Sequence, residues 1–329
     1  MKLKLCFSAL CAAAVILLAS PAAYADSYDL SLGSISIDST ASGQTVVQNG
    51  KTAVDQAPVI TQKSAEATQN TISVHASSGS KAVLTLDGVN IDTSSASDSG
   101  SPVSVSGSGS VKLCFRSENT LMAGRVPGIE KSAGGWLEIA GEDDAVLNTT
   151  GAPGIGSGFK ASGDHLRISS GTVNATGLSS AAGIGSCDGG SSFRYIEING
   201  GNVTAVGGEY SAGIGGGGEY CFGRNISITG GEVTAAGNGG GAAIGGSRLG
   251  EGCTVKISKD AIVHAAMSVT SDRKYTGPCF GSGAGSDADG KEITPDYSAL
   301  RKGGLVEFFD PDGKLLRSYS LDTPSGVLK

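Results

Sequence analysis

Between residues 129 and 265 the apolar residues alternate in short pieces, with a period of two inside each piece and a much longer period between them. The small-Ile-Gly triplets Gly154-Ile155-Gly156, Gly183-Ile184-Gly185, Gly213-Ile214-Gly215 and Ala243-Ile244-Gly245 place their isoleucines 29, 30 and 30 residues apart. Each is followed by an apolar-x-apolar piece: Leu166-Arg-Ile168, Ile196-Glu-Ile198, Ile226-Ser-Ile228, Val255-Lys-Ile257. A valine piece comes third: Val173-Asn-Ala175, Val203-Thr-Ala205, Val233-Thr-Ala235. The second and third pieces are 7 residues apart and the third leads the next isoleucine by 11, each time. A disordered low-complexity chain has no reason to hold such a register.

Period-two alternation predicts strands with one face buried. Three of them in a repeat of about thirty residues predict an all-β fold, a right-handed parallel β-helix, because parallel crossovers are right-handed in nearly all cases. Layers then stack at about 4.8 Å and equivalent residues form ladders. The outward positions Arg167, Glu197, Ser227 and Lys256 fall in one row, with Arg167 and Glu197 placed for a cross-strand ion pair. Asn174, Thr204 and Thr234 form a polar row on another face. Glycine supplies the positive-φ corners, as in Thr229-Gly230-Gly231-Glu232.

The pattern continues upstream with less regularity, through Leu84-Thr-Leu86, Val103-Ser-Val105, Val111-Lys-Leu113 and Leu137-Glu-Ile139. About seven coils are expected. Residues 26–79 are expected to form an N-terminal cap of irregular coils, with strand-like Leu30-Ser-Leu32, Ile35-Ser-Ile37 and Ile72-Ser-Val74. Residues 80–271 carry the β-helix repeats, and 272–329 a loop and a capping hairpin around Asp310-Pro-Asp-Gly313.

Composition agrees with thin layers rather than a thick core: 53 glycines and only 5% aromatics. Residues 1–25 read as a signal peptide, with Lys2 and Lys4 before the apolar run Leu5 to Ala19, then Ala23-Tyr24-Ala25, so the exported chain is expected to begin at Asp26. Without Lys2 and Lys4 the 24 basic residues become 22 against 31 acidic ones, a net charge of −9. No basic stretch is present to hold a phosphate backbone, so nucleic acid is not an expected partner. No second apolar segment follows the leader, so no membrane span is expected after its removal, and the product is expected to be secreted. Cys114, Cys187, Cys221, Cys253 and Cys279 have no common offset in the repeat and are expected to be mostly buried thiols.

Catalytic chemistry has little to work with. Glu142-Asp143-Asp144 is the densest acidic cluster, but it lies where a turn is expected and its side chains diverge. Asp287-Ala-Asp289-Gly290-Lys-Glu292 has the flavour of a calcium loop, yet Gly285 occupies the first ligand position, so a turn is the better reading. His75, His165 and His264 are isolated polar positions, and the cysteines lack zinc spacing. No catalytic residue, metal or cofactor is expected.

Binding has more support. Aromatics gather in the segment between the first and second pieces: Phe159, then Phe193 and Tyr195, then Tyr220 and Phe222. Tyr210 comes from the opposite loop, in a second copy of the Gly-Gly-Glu-Tyr sequence that supplies Glu219-Tyr220. Trp136, the single tryptophan, opens the Leu137 strand. Successive coils would bring such rings to one edge, where their faces suit sugar C–H patches and Glu219 a hydroxyl. They would equally shield a glycine-rich edge. The order "LTLDGVNID", "SENTLMAGRVPGIE", then "AGIGG" and "ISITGGEVTAAG" over roughly residues 80 to 265 resembles secreted or surface glycine-rich β-helix proteins of gut clostridia and their relatives. That resemblance implies a carbohydrate-binding or adhesin-like protein. The leading expectation is a non-catalytic module binding a polysaccharide or glycan, ahead of a structural rod and of a polysaccharide-degrading enzyme.

Overall fold

The computed structural model describes residues 26–95, 100–132, 134–189 and 192–321. The leader expected over residues 1–25 lies outside them. The chain is a parallel β-helix. Its three long sheets have ten, nine and eleven strands, and each sheet takes one strand from every coil. Seven coils between Lys81 and Gly281 contribute to all three, with partial coils at both ends.

The repeat pieces are the rungs of the core. In the ten-stranded sheet Val111, Leu137, Leu166, Ile196, Ile226 and Val255 stand in register. In the nine-stranded sheet the ladder is Leu147, Val173, Val203, Val233, Val263 and Val306. In the eleven-stranded sheet Val103, Ile129, Ile155, Ile184, Ile214, Ile244 and Phe280 align. All of these side chains are buried. Stacking like on like fills a narrow cylinder without large residues, and each rung gains about 1.5–3 kcal/mol from leaving water.

Glycine has a specific task in the third ladder. Gly156, Gly185, Gly215 and Gly245 follow its isoleucine rungs and Gly281 follows Phe280, with φ between +136° and +147°. A Cβ at Gly215 would lie 2.0 Å from the Gly245 carbonyl oxygen of the next coil. The two buried phenylalanines of the first sheet use glycine differently. Phe115 sits against Gly141 and Gly171, and Phe193 against Gly163, where any added Cβ would strike the ring. Phe193, expected among the edge aromatics, is therefore a core residue with no exposure.

The N-terminal region departs from expectation in two places. Leu30–Leu32 is a 3-10 turn rather than a strand. The Asp29 carboxylate accepts the Ser31 N–H at 3.0 Å, an Asx arrangement that competes with strand pairing. Ile35–Thr40, Gly43–Gln48 and Lys51–Val54 then form an antiparallel meander on the end of the eleven-stranded sheet. Its second turn is Asn49-Gly50, with φ of 52° and 72°, as a two-residue hairpin requires. At the other end Leu305–Phe309 pairs in parallel with Ile262–Ala266 and in antiparallel with Leu315–Ser320, forming the expected hairpin.

Four of the cysteines, Cys187, Cys221, Cys253 and Cys279, are buried. Burial pushes Cys187 and Cys279 up to about 11 and Cys253 to about 12. Thiols held protonated in this way are poor nucleophiles.

Candidate functional site

The outer surface of the ten-stranded sheet carries an aromatic row. Trp136, His165, Tyr195 and Asn225 each immediately precede a core rung, Leu137, Leu166, Ile196 and Ile226. His165, Tyr195 and Asn225 are left-handed, with φ of 58°, 60° and 57°. A left-handed residue breaks the alternation of the pleat, so Asp164 and His165, Arg194 and Tyr195, and Arg224 and Asn225 all stay out of the core as consecutive pairs. For a tyrosine this conformation is uncommon and strained.

The rings stack from coil to coil. Trp136 meets His165 edge-on with centroids 4.8 Å apart, and His165 stacks on Tyr195 at 4.8 Å and 17°. Asp164 Oδ1 lies 3.0 Å from His165 Nδ1 and also accepts the Gly134 N–H at 2.8 Å. Arg167 lies 4.5 Å from the Trp136 ring centroid and reaches Glu197 at 2.8 Å, the ion pair expected from the repeat. Beyond the rings the face opens into a hollow of about 430 Å³ lined by Tyr195, Glu197, Asn225, Ser227, Lys256 and Asp296. Tyr195, 43% exposed, joins the ring row to the hollow.

The remaining candidates gather elsewhere. Arg248 pairs with Glu219 at 3.3 Å and lies 4.9 Å from the Tyr210 ring centroid. Tyr220 donates its N–H to the Arg248 carbonyl and leaves its ring exposed. Phe222 opens the strand Phe222–Ile228 beneath Arg224, which lies 4.3 Å from its centroid. Phe159 borders a separate hollow of about 470 Å³ with Arg125, Ser179 and Asp188. The structure thus sorts the candidates into a stacked row with Trp136 and Tyr195 and an arginine-centred corner with Tyr210, Glu219 and Tyr220.

Sequence reasoning missed His165, which read as an isolated polar position and is the middle ring of the row. Its signal was its place: like Trp136 and Tyr195, it directly precedes a core rung. Lys256 was seen as an outward residue but not as part of a hollow, and Asp296 was not seen.

Of the carboxylates that drew attention in the sequence, Glu142, Asp289 and Glu292 have structural partners, as does Glu138 on the neighbouring strand. Glu142, beside the turn at Asp143-Asp144, pairs with Arg116, and Glu138 pairs with Lys112 at 3.2 Å. Asp289 accepts both the N–H and the hydroxyl of Thr276, at 2.6 and 2.8 Å, and Glu292 pairs with Arg317.

Comparison with known families matches three segments, residues 166–190, 196–218 and 226–248, to the family described as "Beta helix repeat". The starts are 30 residues apart and fall on Leu166, Ile196 and Ile226, successive rungs of one ladder. The match covers under a quarter of the chain and agrees with the parallel β-helix seen in these coils. The matched segments lie in the regular coils and include neither cap; His165, Tyr195 and Tyr220 fall just outside their bounds. No curated protein and no solved structure matches the chain.

Proposed function

We propose that this parallel β-helix is a secreted, non-catalytic carbohydrate-binding module that holds a glycan along the outer surface of its ten-stranded sheet. The observation that carries the reading is the continuity of the Trp136–His165–Tyr195 row with the hollow beside it. Exposed ring surface accepts sugar C–H faces, and Glu197, Asn225, Ser227, Lys256 and Asp296 offer donors and acceptors for hydroxyls. Extended solenoid surfaces suit polymers. Three carboxylates on this face or near it, Glu138, Glu142 and Glu197, pair with Lys112, Arg116 and Arg167, which favours binding over acid–base work at those positions.

One observation favours a structural rod instead: the rings stack on each other and Arg167 covers Trp136. Retention on a panel of insoluble and immobilised polysaccharides separates the two. Tyr195→Ala is expected to weaken retention about tenfold or more while leaving the β circular dichroism intact, and Tyr220→Ala to leave retention unchanged. A folded protein that no polysaccharide retains would support the rod. Loss of retention with Tyr220→Ala alone would move the site to the arginine-centred corner.

A further inference from the structure

The backbone nitrogen of Asp26 points at a buried carboxylate. The Asp26 backbone nitrogen lies 2.9 Å from Oδ2 of Asp55, whose side chain is only 3% exposed. Oδ1 of the same carboxylate accepts the Ala57 N–H at 3.0 Å. Among the described residues no lysine or arginine pairs with Asp55; the nearby Lys63 goes to Asp29 at 3.9 Å. The Tyr28 hydroxyl is buried as well and lacks a well-formed hydrogen bond. Burial, then the charges of Asp55 and Asp26, push it up to about 12. A carboxylate this enclosed normally has a cation beside it.

Strand geometry fixes the approach. Asp26 directly precedes the edge strand Ser27–Asp29, which pairs with Val59–Thr61, and the Asp26 carbonyl accepts the Val59 N–H at 2.9 Å. Its nitrogen is therefore held over Asp55 by backbone pairing on one side.

We propose that the Ala25–Asp26 bond is a processing site and that the α-ammonium released there is the counter-ion of Asp55. This inference rests on reading residues 1–25 as a leader and is independent of glycan binding. In the precursor the nitrogen is an amide with a single proton. A leader peptidase adds water across the Ala25–Asp26 amide, leaving a carboxylate on Ala25 and an ammonium on Asp26. The 2.9 Å contact becomes charge-assisted, and the added protons supply donors beside Asp55 and Tyr28. Cleavage thereby locks the edge strand that starts the ten-stranded sheet.

Two measurements test the two halves. The intact mass of the protein exported with its own leader is expected to correspond to a chain starting at Asp26; any other start overturns the processing site. Hydrogen exchange of Ser27–Asp29 is then compared between a chain starting at Asp26 and one retaining Ala25, each with Asp55 and with Asp55→Asn. With Asp55 the free Asp26 terminus is expected to exchange about tenfold more slowly than the extended chain, the effect of a hydrogen bond to a charged group. With Asn the difference is expected to vanish. Equal exchange in the two Asp55 chains, or a difference that survives Asp55→Asn, overturns the ion pair. Nα-acetylation of Asp26 in the otherwise unchanged chain gives the same comparison without altering the buried site: unchanged exchange overturns the ion pair, and about tenfold faster exchange supports it.

Discussion

Lys131 is the residue that least fits a narrow apolar cylinder. It ends the strand Ile129–Lys131, its side chain is 1% exposed, and its Nζ donates to the carbonyl of its neighbour Ser132. Burial lowers its pKa from 10.5 to about 8, against the opposing influence of Asp164. The sign of the consequence follows from linkage. Below about pH 8 the fold must enclose a charge that the unfolded chain leaves in water, so the cost of Lys131 is fully present. Between about pH 8 and 10.5 the folded lysine is neutral while the unfolded one still binds its proton, so stability rises with pH. The shift corresponds to something on the order of 3 kcal/mol. Lys131→Met, similar in shape and uncharged, is expected to raise stability at neutral pH by about 1–4 kcal/mol and to remove the rise between pH 8 and 10.5. Denaturant titrations across that range check both. A neutral-pH stability unchanged by the substitution would mean that the lysine charge is already compensated.

At the scale of elements, the ladders explain why so much of the fold could be read from the chain. A rung repeated at 30 residues, such as Ile184, Ile214 and Ile244, shows both its strand and its neighbours, because stacking like on like is what buries it. The Arg167–Glu197 pair was legible for the same reason. The row Trp136–His165–Tyr195 was only partly legible, because left-handed residues shift the pleat by one and no alternation rule counts such a step. The Asn49-Gly50 hairpin was not read from the sequence: the cap around it has no repeat to confirm a register. Glycine is the sharpest example of meaning set by position. Gly215→Ala places a Cβ 2.0 Å from the Gly245 carbonyl oxygen at a φ of +136°, and is expected to cost at least about 3 kcal/mol. Gly285→Ala meets nothing closer than 3.7 Å, and is expected to stay within about 0.5 kcal/mol of the parent. Urea melts of the two variants test the contrast, and similar losses in both would show that glycine content, rather than the ladder, sets stability.

For the whole molecule, each coil touches mainly the coils above and below, so stability passes from layer to layer and the ends decide how it begins to fail. The C-terminal end is closed by aromatic packing that the repeats do not contain. Phe280 replaces isoleucine on the last rung of its ladder and meets Phe308 of the hairpin at 5.3 Å, Arg317 lies 4.0 Å from the Phe308 centroid, and Tyr297 stacks on Tyr319 at 4.9 Å. His264 adds a polar clamp between successive strands, with Glu232 at 3.4 Å and Glu307 at 2.8 Å. Phe308 is 2% exposed, so Phe308→Ala is expected to cost about 3–5 kcal/mol, felt first in the hairpin and the coil beneath it. Hydrogen exchange should quicken at Leu305–Phe309 and Ile262–Ala266 while Lys81–Asp87, several coils away, keeps its protection. Freed of its cover, the edge of Ile262–Ala266 offers unpaired backbone to other chains, so light scattering should show self-association at concentrations where the parent is monodisperse. Faster exchange spread evenly down to Lys81–Asp87 would instead mean that the solenoid unfolds as one unit and that its caps merely share the stability of the coils.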